Sequence, residues 1–258
     1  MYVVPSENTG TPAPTAAVIL AAGLGKRFPA DRPKVLMPYR GRPLVHWVID
    51  AARGAGMART LVVIGHYGEM VQTACAGMPV EFIWQHERLG TGHALLQTEP
   101  LLGRHQGHIM VLLGDAPCVR SATITNLLAA HVDAQAAATI LTAEVDDPTG
   151  YGRVIRAPDG TVDRIVEHRD ADASVRQVRE INSGAICFRA DSLFPALHRI
   201  GNANQQREYY LTDTIAILRG DGRQVSAYLA GDPHEVLGVN SPEELAALER
   251  LAEIPKVR

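Results

Sequence analysis

The stretch Leu20-Ala21-Ala22-Gly23-Leu24-Gly25-Lys26-Arg27-Phe28 joins two glycines to two cations, and Lys34 comes soon after in Arg32-Pro33-Lys34-Val35-Leu36. Glycines let backbone N–H groups approach a phosphate or a base closely, because no Cβ holds the ligand away. Arg27 offers a planar fork and Lys34 a compact point charge, a combination suited to the oxygens of a triphosphate. Two other phosphate loops fail at defined positions. The dinucleotide fingerprint needs glycine where Phe28 stands, and the Walker A loop needs glycine at Leu20 and a hydroxyl residue at Arg27. Taken by itself, the stretch reads equally well as a solvated turn.

Other candidates carry the same ambiguity when read singly. Asp115 comes after the apolar run His108 to Leu113 and reads alone as a ligand-facing carboxylate or as a helix cap. Gln85 has a carboxamide that can donate and accept at once, as a pyrimidine edge requires, yet a glutamine after a strand is also common on a surface. Glu167 lies directly after Ile165-Val166, on a strand that gives its side chain a defined direction. His105 and His108 are three apart but flank a predicted strand with no third ligand nearby in sequence, so they read as surface histidines and not as a zinc pair. Cys75, Cys118 and Cys187 form no C-x-x-C pair, which excludes a disulfide framework and a zinc knuckle and suggests a reducing, cytoplasmic setting.

The elements that must position these residues alternate. Short apolar runs at Ala16 to Ala22, Thr60 to Gly65, Val80 to Trp84, His108 to Gly114 and Ala136 to Ala143 predict buried strands. Amphipathic stretches near Pro43 to Ala55, Gly68 to Ala76, Thr91 to Thr98 and Ser121 to His131 predict helices between them. This is the signature of βαβ units and an α/β fold, with a mostly parallel sheet covered on both faces. An open sheet of this kind has its ligand crevice at the carboxyl ends of the strands, where the glycine loop falls. Beyond about Asp146 the pattern becomes mixed. Tyr151 to Ala157 and Thr161 to His168, split by Pro158-Asp159-Gly160, predict a hairpin. Asp191 to His198 and Thr212 to Arg219 read as helices and Gln224 to Ala230 as a strand. Ser241-Pro242-Glu243-Glu244 opens a last helix with an N-cap serine, an early proline and a glutamate three residues on.

The whole composition narrows the classes. In 258 residues, 46% are hydrophobic and 21% charged, and 25 Lys and Arg stand against 28 Asp and Glu, a net charge of −3. There is no global basic field for a nucleic-acid duplex. No apolar run approaches the length of a membrane span. Residues 1–15 hold three prolines and no basic residue, so they are expected to be a disordered lead and not a secretory signal. No linker or internal repeat divides residues 16–258, which are expected to form one domain.

The order of the motifs adds what no single one supplies. After the glycine loop with Pro33-Lys34 come Gln85-His86-Glu87-Arg88-Leu89-Gly90-Thr91-Gly92-His93-Ala94, Gly114-Asp115, Gly150-Tyr151-Gly152-Arg153-Val154, Ile165-Val166-Glu167, Glu180-Ile181-Asn182-Ser183-Gly184, Glu208-Tyr209-Tyr210-Leu211-Thr212-Asp213 and Gly238-Val239-Asn240. From about Ala16 onward the chain resembles the sugar-1-phosphate nucleotidyltransferases, most of all the uridyltransferase half of the bifunctional enzymes that make UDP-N-acetylglucosamine. The resemblance implies a Rossmann-like, GT-A-like nucleotidyltransferase fold. It implies uridylyl transfer from UTP to N-acetylglucosamine-1-phosphate, or to another sugar phosphate or from another triphosphate, with Mg²⁺ as cofactor. The positions that match the family's motifs are Leu20, Ala21, Ala22, Gly23, Gly25, Gln85, Gly90 and Thr91 for the nucleotide, and Gly152, Glu167 and Asn182 for the sugar. Arg27 and Lys34 match the catalytic cations and Asp115 with Asn240 the metal ligands, while His93 would support the base pocket and Tyr209 and Tyr210 would wall or support the sugar pocket. Lys26, Phe28 and Met37 depart from the family's usual threonine, methionine and histidine. No hexapeptide repeat is present, so the trimerising β-helix of the bifunctional relatives is not expected in this sequence.

Overall fold

The structure is a computed structural model that describes residues 14–23, 25, 27, 28 and 32–253. The chain opens with β1 (Thr15–Leu20), a ribbon of β2 (Pro38–Tyr39) and β3 (Arg42–Pro43), α1 (Leu44–Gly54), β4 (Arg59–Ile64), α2 (Gly68–Ala74) and β5 (Glu81–Trp84). It continues through α3 (Thr91–Leu96), α4 (Glu99–Leu102), β6 (His108–Leu113), α5 (Ser121–Asp133) and β7 (Ala138–Glu144). The remainder is the hairpin β8 (Arg153–Arg156) and β9 (Val162–Val166), β10 (Glu180–Arg189), α6 (Ala190–Leu197), α7 (Asp213–Gly220), β11 (Val225–Leu229) and α8 (Pro242–Glu253).

Nine strands form one sheet whose main path runs β11-β7-β10-β6-β1-β4-β5, with β8 and β9 attached beside β10. β1 pairs in parallel with β4 and β6, β4 with β5, and β7 with β11. β10 runs antiparallel to both its neighbours, β6 and β7. The mixed, mostly parallel sheet with helices on both faces is the architecture expected from the sequence. β1 is buried along its whole length because helices cover both sides of it, and its composition, Thr-Ala-Ala-Val-Ile-Leu, shows the continuous apolar run of a strand in that setting.

Two clusters fill the faces of the sheet. One gathers Leu95, Leu193, Leu197, Ile215 and Leu218 of α3, α6 and α7 over Val18, Ile109 and Phe188. The other gathers Val45, Val48, Val71, Ile124 and Leu127 of α1, α2 and α5 over Ile19, Met110 and Cys187. A smaller cluster packs Leu245 and Leu248 of α8 on Phe28, Tyr39, Leu44 and Val239. Phe28, one of the departures from the family pattern, thus anchors the end of the glycine loop to the last helix. The Ser241 hydroxyl accepts from the Glu244 N–H at 3.2 Å, the capping contact its sequence implies.

The differences from the sequence reading are local. Residues 1–13 of the expected disordered lead lie outside the described residues, and Thr15, its last residue, belongs to β1. β10, the longest strand, shows in sequence only as a motif, because Asn182-Ser183-Gly184 interrupts its apolar alternation. Its ladder shifts register between Asn182 and Ile186, and Gly184 there takes φ +84°, a conformation favoured by glycine.

Candidate active site

β1 and β6 end level with each other, since Leu20 pairs with Leu113 and the Gly114 N–H donates to the Leu20 carbonyl at 2.9 Å. The residues just after these strands, Ala22-Gly23 and Gly114-Asp115, therefore leave the sheet side by side. β10 approaches from the opposite direction, so its first residues rather than its last reach the same edge. A Cβ on Gly184 would collide with the Leu113 side chain, and the glycine thus permits β10 to pass the end of β6 closely.

Two hollows open along this edge. The first, about 400 Å³, is lined by Leu20, Ala22, Gly23, Lys34, Gln85, Gly90 and Thr91, with Arg88 and Glu208 at its wall. The second, about 200 Å³, is lined by Gly152, Glu167, Asn182, Thr212, Gly238 and Asn240. Leu20, Thr91, Leu113 and Asp115 belong to both, so the hollows join into one crevice with Asp115 on the wall of each. At this junction the Lys34 ammonium is ion-paired with the Asp115 carboxylate and donates to the Asn240 carboxamide oxygen at 3.0 Å. The Val239 N–H donates to the Asp115 carbonyl at 2.9 Å and pins the Asn240 segment to the end of β6. Two oxygen donors from residues 125 apart in sequence, Asp115 and Asn240, thus converge on one cation. Hard, all-oxygen donors of this kind fit a divalent ion that takes its remaining ligands from water or phosphate.

The first hollow is held in shape by a clamp between two segments. The Gly92 N–H donates to the Tyr209 carbonyl at 2.8 Å, the Tyr209 N–H to the Leu89 carbonyl at 2.7 Å, and the Leu211 N–H to the Thr91 hydroxyl at 3.0 Å. Gly90 sits at φ +114°, and a Cβ there would lie 2.6 Å from the Tyr209 carbonyl oxygen, so the clamp requires glycine at that place. Gln85 is 4% exposed; its amide nitrogen donates to the Gly90 carbonyl at 3.1 Å and lies 3.0 Å from His93 Nδ1. Among the described residues its carbonyl oxygen has no hydrogen-bond partner.

The second hollow contains a half-buried carboxylate. Glu167 accepts from the Thr212 hydroxyl at 2.9 Å, and burial, aided by nearby Asp213, Asp170 and Glu208, raises its pKa above the ordinary carboxylate value. Gly152 faces it: a Cβ on Gly152 would lie 3.5 Å from both Glu167 carboxylate oxygens and 3.0 Å from Ile165. The Asn182 N–H donates to the Gly152 carbonyl at 2.9 Å, joining β10 to the turn before β8. The Tyr151 hydroxyl accepts from the Gly238 N–H at 3.3 Å, and burial pushes its pKa up to about 12, so it remains a neutral hydroxyl beside Asp115.

The structure thus gathers Leu20, Ala22, Gly23, Lys34, Gln85, Gly90, Thr91, Asp115, Gly152, Glu167, Asn182 and Asn240 around one crevice. Three of the named residues stand apart from its walls. Ala21 turns into the core beneath the sheet and donates its N–H to the Val63 carbonyl at 2.8 Å. Gly25 lies behind Lys34, where a Cβ would sit 2.5 Å from the lysine Cβ, so its glycine character serves the approach of Lys34. Arg27 is largely exposed and lies 3.8 Å from Glu244. Lys26 is outside the described residues. Tyr209 and Tyr210 support the wall rather than line it: Tyr209 through its backbone, Tyr210 through a buried ring whose hydroxyl accepts from Gln206. Arg88, Tyr151 and Thr212 lie inside the motifs, but sequence reasoning misses them, since nothing in their spacing distinguishes them from their neighbours.

A mixed, mostly parallel sheet with glycine loops, an all-oxygen pair and a lysine at its carboxyl edge defines the nucleotidyltransferase class. Residues 17–216 match the family of the MobA-like NTP transferase domain, and the chain belongs to that family. It is 45% identical over 233 residues to the protein named "Bifunctional protein GlmU" of Exiguobacterium sibiricum, covering 90% of this chain and 52% of that protein. Its identity to the protein of the same name from Geobacter metallireducens is 44% over 238 residues, 92% of this chain and 50% of the other. The chain therefore spans about half the length of the curated relatives it matches. The solved structure of a UDP-glucose pyrophosphorylase complexed with UDP-glucose shares the fold, with a TM-score of 0.73 at 18% identity, over 93% of this chain and 98% of that one.

Proposed function

We propose that this chain transfers a uridylyl group from UTP to N-acetylglucosamine-1-phosphate, releasing pyrophosphate, within a single nucleotidyltransferase domain spanning residues 16–258. The observation that carries this reading is the junction of the two hollows at Asp115, with Lys34 and Asn240 at that corner and a hollow on each side. A reaction between two phosphate-bearing substrates needs such a corner, where their anionic ends meet while the base and the sugar point apart. An anionic oxygen of the sugar phosphate attacks the α-phosphorus. The new P–O bond forms as the bond to the β-phosphate bridge breaks, and pyrophosphate leaves with that electron pair. The nucleophile is already an anion, so no general base is required, and catalysis rests on positioning and on compensating negative charge.

Within this reading, Lys34 stabilises the charge that develops at the corner. Arg27 turns toward the phosphates, because its long, exposed pairing with Glu244 costs little to give up. Asp115 and Asn240 would hold Mg²⁺, which when bound neutralises charge on the phosphate oxygens. The backbone of Leu20, Ala22 and Gly23 contacts the nucleoside, with Ala21 and Gly25 holding the loop from behind. Gln85, whose amide nitrogen is tied to Gly90, presents its carbonyl oxygen to a base-edge N–H, and Thr91 closes that pocket. Glu167 and Asn182 hydrogen-bond sugar hydroxyls, and Gly152 leaves room for the ring and offers its amide. Retention of Arg27, Lys34, Asp115 and Asn240 together, with Asp115 and Asn240 both in contact with Lys34, favours an enzyme over a binding module, which has no use for that set. The net charge of −3 speaks against nucleic acid as a partner, and free cysteines with no described helix long and apolar enough to cross a membrane suit a cytoplasmic reaction.

The test is pyrophosphate release by the purified chain with Mg²⁺, crossing UTP, dTTP, CTP and GTP with the 1-phosphates of N-acetylglucosamine, glucose and mannose. UTP with N-acetylglucosamine-1-phosphate is expected to turn over fastest. Faster release with glucose-1-phosphate would reassign the acceptor, and no release with any pair would overturn the enzymatic reading.

A further inference from the structure

At the other end of the sheet, away from the crevice, three side chains from separate elements meet. His108 begins β6, Cys187 lies on β10 and His131 lies in the last turn of α5. The register explains the meeting. Cys187 pairs with Met110 on one side and with Thr139 on the other, and side chains of paired residues share a face. His108 is two residues before Met110 and so lies on that same face, the one that α5 covers. One ligand atom from each of the three residues lies within 4.8 Å of the other two.

The hydrogen bonding leaves this meeting point unfinished. His131 is fully buried and uses Nδ1 with the Thr139 hydroxyl at 2.9 Å, while its Nε2 is buried without a partner. His108 Nδ1 is likewise buried without a partner. The two rings stand edge to face with centroids 5.0 Å apart. Buried polar atoms in native proteins are almost always satisfied, so two orphan ring nitrogens beside a thiol call for a missing partner. Burial lowers the pKa of both histidines, His131 to about 4, so each ring carries a neutral lone pair near neutral pH. The cation that acts on both rings, Arg189, is ion-paired with Asp191.

We propose that His108, His131 and Cys187 form a binding site for a zinc-class divalent ion, distinct from the catalytic crevice, that ties β6, β10 and α5 together. Two imidazoles and a thiol are borderline-soft donors, which select Zn²⁺ over the hard ions that suit Asp115 and Asn240. The Thr139 hydroxyl would fix the ring of His131, as outer partners of histidine ligands commonly do. Burial holds the Cys187 thiol protonated, so binding displaces one proton, which passes to solvent as the metal–sulfur bond forms. The remaining coordination position is left to water, reached past the half-buried His108. In sequence, His108 groups with His105 three residues away, but His105 lies 3.0 Å from the Pro14 carbonyl and belongs to a different contact.

The test uses the full chain stripped with a chelator and titrated with Co²⁺, which reports thiolate ligation by a sulfur-to-metal charge-transfer absorption, and then with Zn²⁺ to displace it. One equivalent of Co²⁺ is expected to give the band. The band should be absent from Cys187→Ala, and Co²⁺ affinity should be about tenfold or more weaker in His108→Ala. Zn²⁺ should raise the melting temperature of the wild type and leave that of His108→Ala unchanged. His108→Ala is the safer variant, because its side chain is only partly buried, and its fold can be checked by circular dichroism. No charge-transfer band in the wild type, or a band that persists in folded Cys187→Ala, would overturn the proposal. Neither outcome bears on uridylyl transfer, which involves none of these residues.

Discussion

The two hollows of the crevice are built in different ways. The first is assembled from connections at the ends of parallel strands: the turn after β1 and the segment after β5, with Lys34 close behind. Its wall sets apolar groups and backbone beside the polar side chains of Lys34, Gln85, Arg88 and Thr91. Gln85 reaches Gly90 only five residues on, and one long-range clamp, from Leu89–Gly92 to Tyr209–Leu211, holds the loop in place. The second is assembled from the hairpin β8–β9, the reversed strand β10, the start of α7 and the residues before α8, with a half-buried carboxylate among them. Local sequence can specify a wall made by one loop. A wall made by several distant segments exists only when the sheet has paired, and its half-buried carboxylate depends on partners that those segments bring.

Variants that affect one hollow and spare the other sharpen this contrast. The largest loss is expected from Lys34→Ala, which lies at the shared corner. Turnover should fall by about two to three orders of magnitude with both substrates still bound, as for removal of a group that stabilises transition-state charge. Near-normal turnover in the folded variant would remove Lys34 from the chemistry. Gln85→Ala comes next and is confined to the first hollow, with a loss of about 10–100-fold in kcat/KM for UTP and little change for the sugar phosphate. Steady-state kinetics varying each substrate in turn separate the two; an equal loss for both would show that the hollows are not independent.

Glu167→Gln should act on the second hollow alone, raising KM for the sugar phosphate by about tenfold. It also has a stability signature. Because burial raises the folded pKa, the wild-type carboxyl favours folding most at low pH, and that contribution is lost as pH rises from the ordinary carboxylate range through the raised value. Gln removes the charge, so the variant should lose stability less steeply across that window and melt no lower than wild type at neutral pH. A parallel pH profile for both proteins would count against desolvation of this carboxylate. Gly184→Ala tests the scaffold of the same hollow: positive φ and the Leu113 side chain should make it less stable by about 1–3 kcal/mol in denaturant unfolding. The smallest effect is expected from Arg27→Ala, about tenfold or less in turnover, since this exposed side chain must turn to reach the phosphates.

Much of this is legible in the sequence, for reasons that differ by residue. The strands that end at Leu20 and Leu113 announce themselves as continuous apolar runs, and the glycines and cations after them mark where ligands meet a sheet edge. Glu167 and Asn182 stand out through the order of the motifs. β10 stays hidden because Asn182-Ser183-Gly184 breaks its pattern, although it forms one side of the second hollow. Gly25 and Ala21 match ligand contacts in the motif, yet they lie behind the wall, since which side of a loop faces a cavity depends on what packs against its other side.

The sequence by itself determined the class of fold, the carboxyl-edge location of the crevice and most of its chemical groups, because these come from apolar periodicity and from residue types in order. Only the tertiary structure decided that Asp115 and Asn240 share one cation, that the Glu167 carboxyl is partly withdrawn from water, and that His108 faces His131 and Cys187 rather than solvent. Those relations depend on the register of a reversed strand and on the seating of α5 and α8, and register and seating are settled by long-range pairing and packing that no local stretch of the chain encodes.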